Sequence, residues 1–192
     1  SGGLVGSEMC IRDSFISENS DSGLLQTLND QKSLVNNVVT SGMVMSAAIL
    51  VGLSRKILDL ATAYTLDRKQ FGKPIGSFQA VKHMLAQAAI EIEFSKATLY
   101  RAAYSLDNDN PLQKLHAAQA KLQAIDACEM ASRNSMQAHG AMGYTWEMDL
   151  HIFIRRGWSY KQVWGNKSLL ENYIMNQLEK DLPKLGSTYT FL

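Results

Sequence analysis

Residues Arg68 to Gln79 read RKQFGKPIGSFQ. One arginine, two phenylalanines, two glycines and a proline crowd a connector between two long helical patterns. A plain helix–helix turn takes about 2–8 residues and needs no such chemistry. Gly72, Pro74 and Gly76 each favour backbone states that a helix does not use, so they stop the pattern before them. Arg68 directly follows Asp67, and by itself it reads as a helix-dipole or surface ion pair worth little. With Phe71, Gly72, Pro74 and Gln79 around it, the better reading is a phosphate clamp, because a guanidinium matches phosphate oxygens in pairs.

Upstream, a helical pattern runs from about Asn29 to Lys69. Its predicted apolar stripe is Val35, Val38, Met45, Ile49, Leu53, Ile57, Leu60 and Tyr64, with a phase slip near Gly42. Asp30 is placed to cap its start. Downstream, Ser77 is a candidate N-cap for a second helix with Val81, Leu85, Ala88, Ile92, Leu99, Ala103 and Leu106 on its apolar face. Asp107 to Asn110 closes it with turn residues, and Pro111 suits the first turn of a third helix that continues to Ala138. Two shorter helices follow, near Glu147 to Val163 and Asn166 to Lys180. No strand alternation of useful length is visible. The expected fold is all-α: an up-and-down four-helix bundle with extra C-terminal helices.

The composition bounds the rest. At 192 residues, 46% hydrophobic, with a formal charge of +1, the chain is long enough for one real core and has no basic excess for nucleic acid. The longest apolar stretch, Met43 to Leu53, is about half of what a membrane span requires, so no membrane is expected. Two cysteines, Cys10 and Cys128, form neither a disulfide framework nor a metal spacing, and a reducing cytoplasm is the default. Residues 1–14, SGGLVGSEMCIRDS, have no period and read as a translated assembly scar or a flexible tail. The bundle is expected over 15–182, with a weakly patterned tail over 183–192.

A second stretch, Gln137 to Tyr144, reads QAHGAMGY. Gly140 is expected to end the third helix with positive φ. His139 reads as a packed or capping histidine, since no second histidine or carboxylate lies at ligand spacing. No Ser-His-Asp or Cys-His set is visible. Glu91 and Glu93 are expected to pair in solvent with Lys96 nearby, and Asp126 and Glu129 to form a surface pair. Met43, Met45, Met130, Met136, Trp146 and Trp158 read as core or interface.

Together, Arg-x-x-Phe-Gly-x-Pro-Ile-x-x-Phe-Gln and Gln-x-x-Gly-x-x-Gly-Tyr resemble the acyl-CoA dehydrogenase family, over roughly Gly23 to Leu178. The resemblance implies a C-terminal helical bundle that reaches the FAD of an adjacent subunit. On this chain it places Arg68 on the cofactor's pyrophosphate and Phe71 beside its adenosine half. Gln79, Gln137, Gly140 and Asn166 would make further cofactor contacts, Gly140 through a close backbone approach. It implies α,β-dehydrogenation of an acyl-CoA thioester, and a chain covering only part of a full-length enzyme.

Three departures qualify that expectation. Ala141 replaces a glycine of the family's pattern. Arg156 stands where an aspartate usually follows the arginine matched by Arg155. Val163-Trp164-Gly165-Asn166 aligns with Tyr-Glu-Gly-Thr, so Trp164 occupies the position of the glutamate base, and an indole has no proton acceptor at neutral pH. The family's alternative base position falls on Gly42, beside Met43, and neither is a base. Glu18 and Asp30 are weak substitutes. No catalytic residue and no metal ligand is therefore assigned. GSFQAVKH, the missing glutamate and the Arg155-Arg156 pair resemble the subunit type that lacks the base in α2β2 members; a homo-oligomer is the other option. A flavin-dependent oxygenase of the same fold and a cofactor-free structural bundle are the competing readings.

Overall fold

The computed structural model describes residues 22–180, with side chains from Leu34 to Glu179. The expectations for the two tails, Glu18 and Cys10 lie outside the described residues. Five helices are present among them: α1 Ser22–Asp67, α2 Gln79–Asp107, α3 Gln113–His139, α4 Leu150–Tyr160 and α5 Lys167–Lys180. The chain divides into two compact units, Ser1–Val39 and Thr40–Leu192. Among the described residues the first is the opening of α1; the second holds the core and the candidate site.

Chain direction follows from a few cross-helix bonds. The Asn134 side-chain amide donates to the Met84 carbonyl (2.8 Å), that of Gln123 to the Glu91 carboxylate (3.1 Å), and Ser105 meets His116 Nδ1 (2.7 Å). The partners run in opposite order, so α2 and α3 are antiparallel. The Ser135 hydroxyl donates to the Ile57 carbonyl, and Tyr64 stacks on His139. Here the partners advance together, so α1 runs with α3. This is the expected up-and-down bundle.

The core joins four helices. Ile57 and Leu58 of α1, Ala88 and Ile92 of α2, Ala127 and Ala131 of α3, and Leu150 and Ile154 of α4 form one buried cluster. Helix α4 comes close because Gly157 faces the Cys128 sulfur, where a Cβ would lie 2.7 Å away. Burial raises the pKa of that thiol. Helix α5 buries Leu170 and bridges Lys167 to Asp126 on α3.

The predicted stripes hold in part: Leu53 and Ile57 of α1 and Ala88 and Ile92 of α2 are buried as expected. Val35, Val38, Met45 and Ile49 are exposed, while Met43, Ala47, Leu50, Ser54, Ile57 and Ala61 are buried. Small residues let the helix backbones approach, and the buried serines return their hydroxyls to carbonyls of their own helix: Ser46 to Met43, and Ser54 to Leu50. Ala88, Ile92, Ser95, Ala102 and Ser105 are likewise the buried face of α2, and Ala103 is exposed. Asp30 lies inside α1 rather than at its start. By length and composition, Leu34–Asp67 is apolar enough to cross a bilayer, with mean hydropathy 1.7 over an 18-residue window. That corrects the sequence expectation of no such stretch. With 44% of that window buried, the same apolar character is also that of a core helix.

Candidate cofactor-binding end of the bundle

The connector folds into a miniature hairpin. Lys69–Gln70 pairs antiparallel with Lys73–Pro74, Lys69 opposite Pro74 and Gln70 opposite Lys73. Phe71 (φ +53°) and Gly72 (φ +79°) form its turn, both in the left-handed region that two-residue hairpins demand. Two-residue strands carry no readable alternation, so sequence reasoning missed this element. Its consequence is a phenylalanine at the tip, 90% exposed, whose one ring contact is edge-on to Phe78. A non-glycine residue held at positive φ to present a bare aromatic ring is costly locally, and such strain concentrates at functional sites.

A 3-10 turn, Ile75–Ser77, then leads into α2. Gly76 packs against the end of α1, where a Cβ would come within 3.1 Å of the Thr65 carbonyl oxygen. Ser77 does not cap α2: its hydroxyl donates to the Pro74 carbonyl at 2.7 Å, and Phe78 holds the N-cap position without a side-chain bond. The turn consumes the hydroxyl before the helix begins.

Arg68 leaves α1 just before this hairpin. Its N–H donates to the Tyr64 carbonyl (2.9 Å), and its carbonyl accepts from Ile75 (2.8 Å), so both its backbone groups are held. The side chain is exposed, and it joins no ion pair among the described residues. A fixed backbone with a free guanidinium suits an anion arriving from outside.

The end of α3 is brought to the same place. Tyr64 stacks on His139 with ring centroids 4.3 Å apart. His139 is buried; its Nδ1–H donates to the Ser135 carbonyl (2.8 Å), and its Nε2 has no partner among the described residues. It is a packing residue, as its sequence context implied. Gly140 follows with φ +60° and ψ −137°, a state essentially confined to glycine, and nothing lies within 4 Å of where its Cβ would be. Its open face lets another molecule reach the backbone. Gln137 is exposed on the last turn of α3 and lines a recess of about 430 Å³ with Tyr144 and Trp158. Gly143 is needed for a different reason: its Cβ would strike the Met136 sulfur at 2.7 Å. Ala141 is exposed.

Gln79 opens α2 at this end, since α2 runs against α3 and Met84 already touches Asn134. Arg68, Phe71, Gln79, Gln137 and Gly140 therefore gather at one end of the bundle. Asn166 lies apart from them. It lines a neighbouring recess with Ile125, and that recess shares Glu129 and Lys161 with the one lined by Gln137; Ile125 is about 21 Å back along α3 from His139 at 1.5 Å per residue. The Asn166 Oδ1 accepts the Leu169 N–H at 3.0 Å, so it caps α5.

Several other charged groups have structural partners. Glu93 pairs with Lys96 and Arg55, and its pKa is lowered by the hydrogen bond from Lys96. Glu129 pairs with Lys161 at the C-terminal end of α4 (2.9 Å), which makes it a cross-element tie rather than an idle surface charge. Arg155 lies over the Trp146 ring at 5.0 Å. Of the residues read as core or interface, Met43 is buried, while Met45, Trp146 and Trp158 are exposed. No group of three metal-ligating side chains occurs among the described residues.

Sequence and fold comparisons decide the family. Residues 33–179 match the model of the acyl-CoA dehydrogenase C-terminal domain. This chain belongs to the acyl-CoA dehydrogenase family. It is 33% identical over 143 residues to acyl-CoA dehydrogenase IpdE2 of Mycolicibacterium smegmatis, covering 74% of this chain and 43% of that protein. It is 36% identical over 129 residues to glutaryl-CoA dehydrogenase of Desulfococcus multivorans, covering 67% and 33%. The solved glutaryl-CoA dehydrogenase–glutaryl-CoA complex superposes with a TM-score of 0.71 at 32% identity, covering 78% of this chain and 38% of that one. The chain thus spans less than half the length of these relatives.

Proposed function

We propose that this chain forms the C-terminal bundle of an FAD-dependent acyl-CoA dehydrogenase. Its Arg68 end would hold the diphosphate and adenosine half of a flavin nucleotide seated mainly in a neighbouring protomer. One observation carries this reading: a guanidinium with a fixed backbone and no ion pair among the described residues shares a bundle end with an open glycine, an exposed phenylalanine and two exposed glutamines. Those groups fit the cofactor's chemistry. Arg68 would bind the diphosphate through paired N–H donors. Gly140 would admit close approach of the nucleotide to its backbone, and Phe71 would cover its apolar face. Gln79 and Gln137 would donate and accept at its polar edges.

Bound flavin would supply the hydride-accepting half of α,β-dehydrogenation of an acyl-CoA thioester. The matching proton acceptor is not provided by this chain at either aligned position, Gly42 or Trp164. We infer that it comes from a base-bearing partner subunit, as in an α2β2 assembly.

Flavin retention by the natural full-length protein tests the reading. Arg68→Ala should weaken FAD binding by about 1.5–3 kcal/mol, the value of a hydrogen bond to a charged group. Arg68→Lys should fall between, because it keeps the charge and loses the fork. Unchanged FAD content and unchanged assembly in Arg68→Ala would leave only a structural bundle.

A further inference from the structure

The two positions that lack an acid are in contact. Gly42 lies on α1, and Trp164 lies in the turn between α4 and α5. A Cβ built on Gly42 would fall 2.4, 2.6 and 2.8 Å from Cδ2, Cε2 and Cγ of the Trp164 indole. The ring is therefore pressed against the bare helix backbone, in space that exists only because residue 42 has no side chain. The turn is bent to put it there: Trp164 has φ +60° and Gly165 has φ +112°. A bulky non-glycine residue seldom adopts that backbone state unless its surroundings impose it. The ring is also not a core residue, since Trp164 stays 44% exposed. Simple burial therefore does not account for the strained turn.

We propose that the Trp164 indole, seated on Gly42, is a plug that closes this chain's own acyl site, so that the thioester is taken only by a base-bearing partner subunit. This rests on the dehydrogenase reading above and adds to it: the chain is barred from binding substrate, beyond merely lacking a base. The two halves of the plug are matched. An indole at 164 needs glycine at 42, and any side chain at 42 displaces the ring.

The test uses the natural full-length protein with its co-purifying partner. Calorimetric titration with a series of non-reactive CoA thioethers of increasing chain length counts the sites. Wild type should bind thioether only in proportion to its partner subunits. Trp164→Ala should add one site per copy of this chain, doubling the count in an α2β2 complex, with FAD content unchanged. Gly42→Ala is the second variant, since it moves the ring without deleting it, and should also raise the count. One thioether per copy of this chain in wild type would overturn the plug, as would no gain in either variant while both stay folded and flavin-loaded. Arg68→Ala separates the two ideas. If it sheds FAD while the thioether count never rises, only the plug fails; if it keeps FAD, the underlying reading fails first.

Discussion

The two ends of α1 within the second unit are built on opposite plans. At Arg68 the backbone is tied down and the side chains are left open: a free guanidinium, a 90% exposed phenylalanine, and Gly140 with empty space in front of it. At Gly42, about 39 Å away along the helix at 1.5 Å per residue, a glycine is used to let an indole in. One glycine offers room to a visitor and the other has already given its room to the chain itself. The difference teaches that a glycine in a motif has to be read with its neighbours. Substitutions at the open end should move FAD binding and leave stability alone; substitutions in the filled region should move stability and leave FAD binding alone.

The largest effect should come from the interior. Lys121 on α3 is fully buried, and its ammonium nitrogen has no hydrogen-bond partner among the described residues. Burial alone lowers its pKa from an ordinary 10.5 to about 8. The unfolded chain therefore binds the additional proton between about pH 8 and 10.5. The resulting penalty on folding is full below pH 8 and fades as pH rises to 10.5. Lys121→Met should stabilise the protein near neutral pH by on the order of 3 kcal/mol, read by urea unfolding. The gap to wild type should close as pH is raised. Burial of Cys128 acts in the opposite direction but is common to both proteins, so it cancels. A gap that is flat with pH would show that this amine is not desolvated.

Gly42→Ala comes next. Overfilling the contact with Trp164 should cost about 1–3 kcal/mol, visible as a lowered Tm. A neutral result would mean that the ring moves freely and the filled region is not filled. Asn166→Ala should cost about 1 kcal/mol through the lost α5 cap, with little effect on FAD if its role is only structural. A matched loss of FAD would return Asn166 to the cofactor surface. The smallest effect belongs to the open end: Arg68→Ala should change stability by less than about 0.5 kcal/mol. A large destabilisation there would erase the contrast between the two ends.

Much of the architecture was legible in the residues. Helix order, chain reversals and the stop at Gly72, Pro74 and Gly76 follow from period and turn chemistry. Five of the six proposed contact residues do meet at one end, because α1 and α3 run the same way and finish together. The burial face of α1 was legible only in part: Leu53 and Ile57 are buried as predicted, while Val35, Val38, Met45 and Ile49 are not. Large apolar side chains dominate a periodicity count, yet Ala47, Ser54 and Ala61 are buried as fully as Leu50 and Ile57, because backbone approach favours small residues. The hairpin tip at Phe71 and the tryptophan at positive φ are backbone states imposed by the rest of the fold, and only Gly72 and Gly165 hint at them. The contact between residues 42 and 164 is long-range, and no spacing along the chain encodes it.

The central claim is that Arg68 grips a diphosphate belonging to another protomer's cofactor. A structure of the FAD-loaded natural assembly measures it directly. The account predicts the Arg68 guanidinium within hydrogen-bond distance of the diphosphate of a flavin whose ring lies in the adjacent subunit, with Gly140 lining the same nucleotide. A diphosphate bound elsewhere, with Arg68 facing solvent or a carboxylate, would contradict it.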